Sequence, residues 1–152
     1  MNILQQLQYA GLVKPQGVDN TVFANNAAVD TRGLLELAFL VHAGDLAAAV
    51  GSTAAANAIK VEECDTEGGS YSDVANATLA DAIAADEDGG LFLIVVDLKK
   101  SHKRFMRLNA PTAGDGSGTS SYISAVAIGI PDKMPVNATE AGLTELILPS
   151  NS

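Results

Sequence analysis

The chain has 152 residues, a size at which one domain buries roughly 68–70 % of its unfolded surface without metals or crosslinks. Its 18 acidic and 9 basic side chains leave a formal charge of −9, which opposes general affinity for nucleic acid or anionic membrane, because acidic surfaces repel phosphates at long range. Cys64 is the single cysteine, so there is no internal disulfide, and a buried thiol is its expected role.

Met1 to Val13 has no basic segment followed by an apolar run, and no stretch approaches the ~18 continuous apolar residues of a membrane helix. The expectation is a soluble protein made in the cytoplasm. With no Trp and much of the apolar 47 % in Ala, the core is expected to be thin and built from Val, Ile and Leu.

Ile3, Leu4 and Leu7 stand at helical spacing before Gly11, which predicts a short amphipathic N-terminal helix. Pro15, Gly17 and Asn20 then predict an extended arm reaching Asn25 and Asn26. Residues 1–26 thus read as a helix and arm that precede a sandwich domain at 27–136, with a tail at 137–152. Ile3, Leu4, Leu7 and Leu12 are too few for a core of their own, so they are expected to fasten the chain to a neighbouring surface. On this reading, removing residues 1–26 leaves a folded sandwich.

From Leu35 the period becomes two, with Leu35, Leu37, Phe39 and Val41 on one face and Glu36, Ala38, Leu40 and His42 on the other, the pattern of a strand with one buried face. Asp45 to Asn57 lacks this alternation and reads as a loop or as a short helix capped by Asp45. Ala58 to Cys64 and Tyr71 to Leu79 form the arms of an expected hairpin around Gly68 and Gly69. Leu91 to Val96 is continuously apolar, which suggests a strand buried on both faces. Lys103 to Asn109 and Tyr122 to Ile130 are further strands. In the latter, Tyr122, Ser124, Val126 and Ile128 alternate with Ala125, Ala127 and Gly129, and a face of small residues suits close packing. Glu140 to Leu148 fits a strand or a helical turn. Six or seven strands separated by Gly, Asp and Ser turns predict an all-β, antiparallel β-sandwich.

Few residues suggest chemistry. His42 and His102 lack metal-ligand spacing. Adjacent residues on an extended chain point apart, so Asp97, Ser101 and His102 do not read as a triad. Asp65, Glu67 and Asp73 around the 65–73 turn could offer oxygens to Ca²⁺, yet the spacing is not that of an EF-hand, and a solvated turn is the simpler reading. No catalytic residue, cofactor site or metal site is assigned. Charge, by contrast, is segregated: Lys99, Lys100, Lys103, Arg104 and Arg107 place five of the nine basic residues in one stretch. Such a cluster either meets an acidic partner or balances the chain's own acids between Glu62 and Asp88.

Val29-Asp30-Thr31-x-Gly33, the apolar strand ending at Gly44, Lys60-Val61-Glu62-Glu63-Cys64-Asp65-x-x-Gly68-x-Ser70-Tyr71-Ser72-Asp73-Val74, and Lys103-Arg104-Phe105-x-Arg107 together resemble small head-associated proteins of tailed bacteriophages and prophages, over about residues 28–135. Cys64 stands where that family usually has Ser, and the turn after it differs. The resemblance implies a jelly-roll-like sandwich that decorates or cements the capsid, commonly as a homotrimer, with the major capsid protein as partner and the virion surface as location. The expected function is therefore structural and non-enzymatic, without nucleic-acid or membrane partners. Its interface would draw on Ile3, Leu4, Leu7, Leu12, Lys99, Lys100, Lys103 and Arg104. A carbohydrate- or ligand-binding sandwich for host attachment is the alternative, and the absence of Trp counts against it.

Overall fold

A computed structural model describes residues 7–23, 27–52, 57–109, 112–113, 116–133 and 142–143. Every regular element among them is a strand: β1 (Gln8–Val18), β2 (Thr21–Val22), β3 (Val29–Asp30), β4 (Leu34–Ala43), β5 (Lys60–Cys64), β6 (Ser72–Thr78), β7 (Leu91–Asp97), β8 (Phe105–Leu108), β9 (Thr112–Ala113) and β10 (Ser121–Pro131). Two four-stranded antiparallel sheets, β1-β10-β4-β7 and β3-β8-β5-β6, share one apolar core in the manner of a β-sandwich, and β2 and β9 form a small third ladder.

The N-terminal helix is not present in the described part of that segment. Gln8 to Val18 is instead an edge strand paired with β10 from Gln8↔Gly129 to Val18↔Ser121. Pro15 is tolerated there because an edge strand need donate on one side only. Two register irregularities, between Gly11 and Val13 and between Val13 and Gln16, interrupt the alternation that would have marked the strand. Ile3 and Leu4, along with Asn25 and Asn26 of the expected arm, lie outside the described residues. Leu12 is 1 % exposed and belongs to the core, so it is not held out for a partner.

β4 and β10 are the two inner strands, and their side chains complement each other. Leu37, Phe39 and Val41 of β4 point inward and are almost fully buried. Across from them β10 turns its small residues in: Ala125 pairs with Val41, Ala127 with Phe39 and Gly129 with Leu37. Large side chains on one strand thus stand against small ones on the other. Leu35 departs from the expected pattern: the ladder slips between Ile130↔Glu36 and Pro131↔Leu34, which buries Leu34 and leaves Leu35 41 % exposed.

The described residues of the Ala-rich 45–57 segment are irregular, and residues 53–56 lie outside the description. Among the contacts that fix the segment are a Val50↔Ile83 bridge and the buried Ser121 hydroxyl, which donates to Ala48 O (2.9 Å) and accepts from Ala48 N (3.1 Å). Of Glu140–Leu148, only Gly142 and Leu143 are described, so its reading as strand or turn lies outside the described residues.

Candidate functional site

The second sheet gathers three of the motifs that carried the resemblance, the strand ending at Gly44 being β4 of the first sheet. β3 pairs with β8, and β8 pairs with β5, so that Asp30 faces Phe105, Glu62 faces Arg107 and Cys64 faces Phe105. At one end, Asp30 receives forked hydrogen bonds from two guanidinium groups, with its Oδ2 2.8 Å from Arg104 and 2.7 Å from Arg32. The buried Thr31 reinforces the joint, its N–H and its hydroxyl both donating to Arg104 O at 2.8 and 2.7 Å. Gly33 then turns the chain at φ +76°, a conformation that favours glycine, and passes it into β4.

The side-chain hydrogen bonds of Arg104 hold Asp30 well below the usual carboxylate range; burial opposes them and Arg32 adds to them. A carboxylate lowered in the folded state contributes stability above its unfolded value of about 3.9, and that contribution is lost as pH falls through the lower folded value. Asp30 and Arg104 side chains are 32 % and 41 % exposed, so solvent screening limits the effect. Asp30→Asn is expected to cost about 1 kcal/mol at neutral pH, and to flatten the decline of stability between about pH 4 and 2. Chemical-denaturation curves collected across that range test it, and parallel declines in wild type and variant would show that another group titrates.

The basic cluster thereby divides. Arg104 is committed to Asp30 and stacks 4.6 Å from the Phe105 ring centroid; Arg107 pairs with Glu62 (3.1 Å) and lies 3.9 Å over Tyr71. Burial pushes the Tyr71 phenol up, with the Arg107 charge acting against it. Lys103 donates through its ammonium to Ser72 Oγ at 2.8 Å and through its backbone to Glu63 Oε2 at 2.9 Å. Lys99 and Lys100 are exposed and form no salt bridge among the described residues. Balance by the acids between Glu62 and Asp88 thus accounts for Arg107, Arg104 is balanced by Asp30 outside that range, and two lysines remain available.

Elsewhere the candidate groups do not converge. Asp73 is paired with the buried Lys60 ammonium (2.8 Å). Tyr71 donates to Glu67 O at 2.7 Å and pins the 65–71 turn, and Cys64 is buried beside Thr66, with the two side chains 3.8 Å apart. Asp97 Oδ1 accepts from Lys99 N, whereas His102 Nδ1 lies against Lys100 O, so both are engaged with backbone groups. A groove of about 520 Å³ between β6 and β7, lined in part by Asp73, Asn76, Asp97 and His102, is the largest of the cavities described.

The feature that sequence reasoning missed is the outer face of the β1-β10-β4-β7 sheet. Leu93, Leu40 and Val126 lie in one cross-strand row, and Val95, Ala38 and Ile128 in the next. Leu91, Leu93 and Val95 are 66, 56 and 51 % exposed, and Tyr122, Val126 and Ile130 between 41 and 51 %. Gly17 makes room for the Tyr122 ring, since a Cβ there would stand 2.8 Å from Tyr122 Cε1. Polar side chains enter toward the ends of the rows, through Glu36 and Asp97 paired at one end and His42 beside Ser124 toward the other. β7, expected to be buried on both faces, buries only Ile94 and Val96 because it lies at the edge with no layer outside it. The small-inside, large-outside alternation of 122–130 was the available signal. Contiguous exposed apolar surface of this kind marks interaction sites. No family model, curated protein or solved structure matches the chain.

Proposed function

We propose that the chain is a non-enzymatic structural protein that docks on a tailed-bacteriophage capsid and decorates or cements it. The apolar outer face of β10, β4 and β7 carries this reading. Water-exposed aliphatic side chains are unfavourable by about 25 cal/mol per Å² of apolar surface, and a partner surface that covers them recovers that free energy. The resemblance of residues 28–135 supplies the identity of the partner, the major capsid protein, and adds a jelly-roll-like connectivity and a homotrimeric arrangement. The location follows: synthesis in the host cytoplasm and residence on the outer surface of the virion.

Virions purified from the host that carries the gene provide the test, by quantitative mass spectrometry against the major capsid protein. A fixed copy ratio is expected, and recombinant protein should bind saturably to shells that lack it. Val126→Lys, which changes an exposed side chain on the outer face, should weaken that binding at least ten-fold with the fold intact. Virions free of the protein, or shells that bind the variant as tightly as wild type, would overturn the proposal.

A further inference from the structure

The two sheets end in four edge strands, and three of these are protected against pairing with another chain. β1 carries exposed Lys14 and Pro15 and two register irregularities. β3 is two residues long. β6 is irregular in its pairing to β5 and contains Asn76 at φ 61°. Charge, proline, bulging and shortness are the usual devices by which proteins blunt an edge. β7 has none of them between Leu91 and Val96.

Its free backbone groups can be assigned. In the β4–β7 ladder Gly90 O accepts from Ala43 N and Leu98 N donates to Leu35 O, so the even-numbered residues of β7 direct their N–H and C=O groups toward β4. Antiparallel pairing alternates these directions. Leu91, Leu93 and Val95 therefore present theirs to the open edge, and these are residues whose side chains lie on the exposed face; the Asp97 carbonyl instead accepts from Lys100 N in the turn that follows.

The flanks of β7 are charged with opposite sign. Asp86, Glu87 and Asp88 precede it, Lys99 and Lys100 follow it, and all five are exposed. Seven residues of strand span about 24 Å at ~3.4 Å each, well beyond the Debye length of about 8 Å at physiological salt. Within one chain the flanks are screened from each other. When two β7 strands pair antiparallel, each acidic flank lies beside the other copy's lysines, twice by symmetry.

We propose that β7 is a self-pairing edge, and that two copies join β7 to β7 about a twofold axis into one continuous eight-stranded sheet. Odd residues meet odd residues in a register centred on Ile94: Leu93 stands opposite the second copy's Val95, and the acidic turn before each β7 comes to the end of the ladder where the other copy's Lys99 and Lys100 follow theirs. Both outer faces then lie on the same side of the joined sheet. A parallel pair would set acid beside acid and lysine beside lysine, which selects the antiparallel arrangement. This inference does not rest on the docking of the outer face on a capsid, which the joined sheet leaves uncovered, but a β7-to-β7 pair replaces the homotrimeric arrangement that the resemblance implies.

Light scattering and sedimentation of the full chain should give twice the 15.6 kDa of one chain, with a dissociation constant that rises with salt. Hydrogen exchange should find the Leu93 and Val95 amides protected in the dimer and unprotected on dilution. Leu93→Lys, an exposed edge substitution, should yield a monomer with wild-type circular dichroism. Lys99→Glu with Lys100→Glu should weaken association at least ten-fold at low salt and much less at 0.5 M, where the Debye length is about 4 Å. A monomer or trimer at 100 μM, or a dimer whose Leu93 and Val95 amides exchange freely, would overturn the proposal.

Discussion

Deletion of residues 1–18 is expected to abolish cooperative folding. The deletion removes β1, and with it Leu12, Val13 and Val18, all at least 94 % buried. Each buried aliphatic side chain of this size contributes about 1.5–3 kcal/mol, so the three together approach the roughly 5–15 kcal/mol that stabilises a whole domain. The loss also strips β10 of one ladder and exposes the inner face at Ile123 and Ala125. The expected result is a truncated chain without a sigmoidal urea transition. A truncated protein that retains the full-length midpoint would show that residues 1–18 are a dispensable arm, as their local pattern suggests.

Phe39→Ala is expected to be the most damaging single truncation of the β4 core. Phe39 is fully buried at the middle of β4, between Ala127 of β10 and Ile94 of β7. Its small neighbour Ala127 cannot expand into the space, so the cavity persists and the cost should fall at about 3–5 kcal/mol. At about 2–4 °C per kcal/mol, the midpoint of thermal unfolding should fall by roughly 6–20 °C. Urea titration distinguishes the causes: a lower midpoint at unchanged slope reports lost stability, whereas a changed slope reports altered compactness. A cost below about 1 kcal/mol would mean that the sheets close over the gap, contrary to the account of β4 and β10 as complementary layers.

Much of the fold was legible residue by residue. The period-two pattern of Leu37, Phe39 and Val41 marked the inward face of β4, the turn at Gly68 and Gly69 marked the β5–β6 hairpin, and the small residues of 122–130 announced close packing. In each case the signal lay within a few residues of the element it described. The basic stretch was legible as a cluster but not as a division between two arginines bound to Asp30 and Glu62 and two lysines left exposed. The partners of those arginines are 74 and 45 residues away in the chain, and no local pattern reports them.

The amino-acid order by itself determined that this is a strand-forming chain whose main inner strand has one buried face, because alternation is a property of neighbours along the backbone. Tertiary structure alone decided what covers each strand. Residues 8–18 became a strand because β10, more than a hundred residues later, supplies their hydrogen-bond partners. Leu91, Leu93 and Val95 became exposed because topology put β7 at an edge and left its outer side without a layer. Burial depends on which elements meet in space, and the candidate interface exists where such a meeting is missing.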